Sequence, residues 1–213
     1  MRTMLRTLLG LGLVALLASP AVAQGRGFGR FGGSLTFLLT NESVQKELKL
    51  DDKQVDKAKD LAEKTQEEVR DKFQGFQDLS PEERRTKGME IMREVNATVL
   101  KALGEFLKPE QITRLKQISY QQRGATAFLD PEVQKKLNLS DSQKSGIQAL
   151  IQQAFSQMPS REEFQDDREA AMKKMREVNQ KVLAESEKKL NDEQQKTWKE
   201  VLGAPFEVKY ENQ

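Results

Sequence analysis

The sequence holds no His and no Cys, so any site chemistry falls to carboxylates, hydroxyls, amines and thioethers. Adjacent carboxylates occur at Asp51-Asp52, Glu67-Glu68, Glu162-Glu163 and Asp166-Asp167. Such pairs do acid–base work when a cleft drives their pKa values apart. These four pairs lie among Lys and Arg on helix faces, where solvated charge is the plain reading. Ser and Thr have no imidazole to activate them, and there is neither a Gly-x-Ser-x-Gly elbow nor a phosphate-cradling glycine loop. The glycines between Gly25 and Gly33 precede no strand–helix unit. Transition metals lose their commonest ligands, although oxygen ligation of hard cations stays open. No catalytic residue, metal site or cofactor is expected, and the chain reads as a non-enzyme.

Thioethers and aromatic rings are the more informative set. Phe73, Phe76, Met89, Met92, Met158, Phe164, Met172 and Met175 gather near the ends of long apolar stripes. Met adapts its shape and is common at promiscuous binding surfaces. One reading makes these eight residues candidates for holding unfolded segments. The other makes them a thin core that seals one helix to another. Trp198 aligns with Leu115 in the repeat described below and reads as core.

A third pattern recurs four times, as Leu-x-x-x-Gln: Leu50 to Gln54, Leu107 to Gln111, Leu139 to Gln143 and Leu190 to Gln194. Its logic is local. The Leu precedes a helix cap and staples onto the first turn. The cap is Asp51, Ser140 or Asn191 in three copies. The Gln sits three residues after the cap, where its side chain reaches back to the cap N–H. Lys108 is a poor cap, and Pro109 beside it removes one orphan donor.

The elements that carry these residues are helices. Apolar residues recur at three- and four-residue spacing, as in Val55, Ala58, Leu61, Ala62, Val69 and Phe73, and in Ile147, Leu150, Ile151, Ala154, Phe155 and Met158. The spacing predicts helices over 41–48 and 131–137, a long helix over 52–74, and short helices over 109–120 and 192–202. Ser80-Pro81-Glu82-Glu83 and Ser160-Arg161-Glu162-Glu163 each open a further long helix with a capping box.

The series occurs twice. Val44-Gln45-Lys46-Glu47-Leu48-Lys49-Leu50 matches Val133-Gln134-Lys135-Lys136-Leu137-Asn138-Leu139, 89 residues on. Met92-Arg93-Glu94-Val95-Asn96 returns letter for letter at Met175-Arg176-Glu177-Val178-Asn179, 83 residues on. Collinear matches continue through Val99/Val182, Leu107/Leu190 and Gln111/Gln194. A tandem duplication explains them, with a shortened turn in the second copy.

Residues 1–23 read as a cleaved signal peptide. Arg2 and Arg6 precede an apolar run over 8–17, too short to span a bilayer, and Ala21-Val22-Ala23 offers the cleavage site. Export to the periplasm is expected, with full secretion as the alternative. Removing this segment cancels the formal net charge of +2, so nucleic acid is not an expected partner. Residues 24–33 form a Gly/Arg-rich flexible arm, 34–123 and 124–204 the two helical units, and 205–213 a tail.

The four helix starts resemble the LTxxQ-motif periplasmic family of Spy- and CpxP-like proteins. In that family two Leu-Thr-x-x-Gln motifs open helices after a signal peptide. Here the Thr is Asp51, Lys108, Ser140 or Asn191, so the capping chemistry is kept in three copies and the signature itself is not. The resemblance spans roughly residues 34–203 as two tandem units. It implies an all-α fold of long-helix hairpins flanked by short helices, cradle-like or an extended bundle. It further implies an ATP-independent chaperone or envelope-stress adaptor whose partners are unfolded or misfolded exported proteins. Two units in one chain would make an intramolecular pseudo-dimer. An inhibitory partner of a membrane stress sensor, or a structural envelope protein without clients, are the alternatives.

Overall fold

The computed structural model describes residues 33–210, and all of its regular elements are helices. The signal peptide, all of the 24–33 arm but Gly33, and residues 211–213 lie outside the described residues. In the first unit α1 (Leu35–Leu39) and α2 (Glu42–Glu47) lead into the hairpin of α3 (Asp52–Lys72) and α4 (Pro81–Leu103), and α5 (Pro109–Arg123) closes it. The second unit starts with a 3-10 segment (Gly124–Leu129) and α6 (Pro131–Lys136). Its hairpin is α7 (Asp141–Gln157), α8 (Arg161–Asp166) and α9 (Arg168–Glu187), closed by α10 (Asp192–Leu202). Among the described residues no helix is long and apolar enough to cross a membrane.

Each long helix begins where its cap dictates. Asp51, Ser80, Ser140, Ser160 and Asn191 all accept from the N–H three residues on, and the side chain of that residue accepts from the cap N–H in return. Lys108 makes only the return half, donating its N–H to Gln111 Oε1 at 2.9 Å. α2 and α6 both end on a left-handed residue, Lys49 at φ 51° and Asn138 at φ 48°. The repeat therefore extends to backbone conformation.

Two corrections concern the second hairpin. The helix expected to run on from Ser160 is interrupted at Asp167, which is extended (φ −143°) and caps α9 through Ala170 N–H. Ser80 to Met92 spans 12 residues, whereas Ser160 to Met175 spans 15. Three added residues turn a helix by only about 300°, which would swing the apolar stripe off its partner. The break absorbs them, and α8 folds back along α9, with Lys174 to Glu163 at 2.6 Å. The second correction is Phe155, placed in the α7 stripe by spacing but 63% exposed. It follows Ala154 directly, so it lies about 100° around the helix from the buried line of Ile147, Ile151 and Ala154.

The apolar interior divides into two clusters, one per unit, and each takes in residues from beyond its own unit. The second unit's cluster takes in Tyr120 of α5 beside its own Ala125, Ala127 and Phe128. The first unit's cluster takes in Val208, with Phe206 and Tyr210 packed against it. The chain leaves α5 and α10 at a glycine of positive φ, Gly124 (52°) and Gly203 (63°). At Gly203 a Cβ would also collide with the Gln117 side chain. α5 packs on α10, its own counterpart in the repeat.

Candidate functional site

The four motif glutamines do more than cap. Gln54 and Gln111 pair head to head, Nε2 to Oε1 at 2.9 and 3.2 Å. Gln54 also donates to Phe106 C=O at 2.8 Å and Gln111 to Leu48 C=O at 3.0 Å. Each Oε1 accepts a second bond, from the N–H of Asp51 or of Lys108. Every donor and lone pair of both amides is thereby used. The second unit repeats the arrangement: Gln143 and Gln194 pair at 2.7 and 3.0 Å, and donate to Lys189 C=O and Leu137 C=O. Each pair ties four chain segments together at the base of its hairpin. Glu at these positions would lose the donors, which explains Gln. The motif is thus a structural clasp, and the partner of each glutamine was not legible from any one motif.

The eight Met and Phe candidates lie elsewhere. None belongs to either core cluster. Phe73, Phe76, Met92, Met158, Phe164, Met172 and Met175 are half-buried, and Met89 is 61% exposed. Both readings of the set, sealed core or open surface, are therefore incomplete: a two-helix hairpin has no third layer to cover its stripe. The structure packs Phe73 against Phe76, ring centroids 4.4 Å apart and planes tilted by 41°, opposite Gly88 of α4. A shallow groove beside them is lined by Lys72, Phe76, Leu79, Lys87, Ile91 and Glu94. Met92 and Met175 occupy matching places on the two hairpins, so the candidates form two sets rather than one. The exposed Phe155 extends the second set, and its signal in the sequence is the position one residue off the buried line.

Charge surrounds these sets. Lys72 bonds Glu94 at 2.9 Å and lies 3.7 Å from Glu68. The bond to Glu94 holds the Lys72 ammonium above its ordinary pKa, and the same bond holds the Glu94 carboxyl below its own. Lys174 acts likewise on Glu163. These shifts strengthen groups already charged at neutral pH and create no acid or base poised for catalysis. Among the described residues no group of three or more His, Cys, Asp and Glu side chains is placed to hold a metal. Trp198 is buried, its ring 4.3 Å from Phe128 and its Nε1–H bonded to Glu187 at 3.0 Å.

Comparison with known proteins finds no family model, no curated protein and no solved structure that matches the chain.

Proposed function

We propose that the chain is an exported, ATP-independent chaperone or envelope-stress adaptor of the LTxxQ type, which binds unfolded protein segments reversibly. The observation that carries this reading is the placement of the eight Met and Phe residues. They stand outside both cores and line thin hairpins at partial exposure, flanked by mixed charge. A surface that must accept many sequences needs adaptable apolar contacts and no fixed polar pattern. Tyr120 of α5 in the second core, the segment after α10 in the first, and the packing of α5 on α10 support a second part of the proposal: the chain acts as a covalent pseudo-dimer.

The test is light scattering of a chemically unfolded protein diluted into buffer without ATP. Near-equimolar mature chain suppresses aggregation, and a triple variant with Met92, Met172 and Met175 changed to Ser, still helical by circular dichroism, loses the effect. No suppression at several-fold excess overturns the proposal.

A further inference from the structure

The segment that follows α10 is held in a manner unlike the rest of the described residues. Residues 204–210 form no regular element. Phe206, Val208 and Tyr210 turn toward the first unit's core, while Glu207 and Lys209 between them are exposed. That is the period-two alternation of an extended strand.

Its backbone is gripped by side chains, with no neighbouring strand involved. Lys209 N–H donates to Ser43 Oγ at 3.0 Å, and Lys209 C=O accepts from Asn41 Nδ2 at 2.7 Å. Phe206 N–H donates to Gln121 Oε1 at 2.9 Å. Ala204 C=O accepts from Arg114 at 2.8 Å and from Gln121 Nε2 at 2.9 Å. The Arg114 guanidinium also lies 5.8 Å over the Phe206 ring, and Phe37 stacks on Tyr210 at 6.2 Å. Apart from the ring interactions and the Tyr210 hydroxyl, which donates to Gln122 Oε1 at 3.4 Å, these polar contacts are to main-chain N–H or C=O, which any sequence presents. Selectivity rests on three apolar positions spaced by two, of which only Val208 is fully enclosed.

We propose that this groove, between α1, α2 and α5, is a binding site for extended peptide segments with apolar residues at alternate positions, occupied in cis by residues 204–210. Main-chain bonds supply affinity and alternate pockets supply selectivity, the division of labour of extended-peptide recognition. Tethering gives the cis segment an effective concentration on the order of millimolar, so an incoming peptide competes at a disadvantage until the segment lets go. The groove is independent of the hairpin-tip reading, because it lies at the base of the first unit and uses none of the Met residues.

The experiment measures fluorescence anisotropy of a labelled synthetic peptide with the sequence of residues 204–213. The partners are the full chain and its Val208→Asp variant, which disengages the cis segment. The peptide is expected to bind the variant saturably and at least about tenfold more tightly than the wild-type chain. A peptide with Ser at the positions of Phe206, Val208 and Tyr210 is expected not to bind. Asn41→Asp, which keeps the α2 cap and removes the donor to Lys209 C=O, is expected to weaken binding to the variant. Equal binding to both chains, or none to a Val208→Asp chain of unchanged helix content, overturns the proposal. A measurement on the wild-type chain stands whatever that variant does. Excess peptide should speed hydrogen exchange at the Phe206 and Lys209 amides while α10 stays protected, and unchanged exchange at high peptide concentration overturns the proposal equally. Aggregation suppression by the hairpin tips is read separately, so either proposal can fail alone.

Discussion

The two hairpins share a base and differ toward their tips. Between residues 59 and 94 the first hairpin fully buries no described side chain, whereas the matching stretch of the second buries Ile151, Ala154 and Ala171. The substitutions responsible are visible in the repeat. Ile151 stands where the first unit has Ala62, and Ala154 where it has Thr65. Thr65 turns its hydroxyl back to Leu61 C=O at 2.7 Å. The second tip also carries α8, folded along α9. The first instead has the Phe73–Phe76 pair and an open groove. One scaffold thus supports a more buried tip and a more open one on bases that carry the same glutamine clasp. Local opening should follow the same gradient.

The largest effect should come from the base of the second unit, where the Phe128 and Trp198 rings fill the space. The first unit fills the corresponding space with Leu39, Leu103 and Leu115; the second uses Phe128, Ser186 and Trp198. Trp198→Ala should cost about 3–5 kcal/mol by urea unfolding. Leu115→Ala should cost less, about 2–3 kcal/mol. Ser186→Leu should be tolerated better in a Trp198→Leu background than in the wild type, since it restores the first unit's set. Equal penalties in both backgrounds would show that the two positions are not compensating.

The clasps should respond alike, which sharpens the contrast with the tips. Gln111→Ala and Gln194→Ala each strand a paired amide and an enclosed carbonyl, at a cost of about 1–3 kcal/mol. Both glutamines are buried, at 7% and 9% exposure, with matching partners. Unfolding midpoints that fall unequally would mean that one clasp carries more of its hairpin than the geometry suggests.

The difference between the tips should be transferable. Ala62→Ile with Thr65→Ala gives α3 the second unit's buried line. It should slow hydrogen exchange over residues 62–72 and stabilise by about 0.5–2 kcal/mol. Exchange that stays fast would assign the looseness to the missing α8 rather than to the stripe.

Much of this architecture was legible because its signals are local. Caps, prolines and the capping glutamines mark where the helices begin, and Asp192–Leu202 matches its predicted span. α1 went unrecognised: a single turn of five residues is too short for periodicity, although Ser34 caps it. Asp167 hid its break because no Gly or Pro marks it, and only the count of residues between Ser160 and Met175 reveals it. The glutamine pairs and the crossing of Val208 into the first core join residues 51 or more positions apart, beyond what a local pattern encodes. For the candidate set, spacing placed Met and Phe on a stripe, but their half-exposure depends on how many layers cover that stripe.

The smallest effect concerns an ion pair between the units. Lys116 of α5 bonds Glu132 of α6 at 2.6 Å, and Lys136 adds a second contact at 3.2 Å. Burial pushes the Glu132 carboxyl upward, but the two ammonium groups outweigh it and its pKa lies below the ordinary value of 4.5. A carboxyl with a lowered folded-state pKa stabilises the fold above its unfolded value, and that contribution disappears as pH falls through the folded value. The side chain is 39% exposed, so solvent screening holds the effect to a few tenths of a kcal/mol. The urea midpoint of the wild-type chain should therefore fall between pH 6 and pH 3 by slightly more than that of Lys116→Met. The other lowered carboxyls, Glu83, Glu94, Glu163 and Glu185, lie within one unit or the other and are common to both chains. The difference between the two acid limbs thus isolates the Lys116–Glu132 contact. Identical limbs would mean that α5 and α6 are held by the shared core around Tyr120 and by the Arg123–Asp130 pair at 3.0 Å.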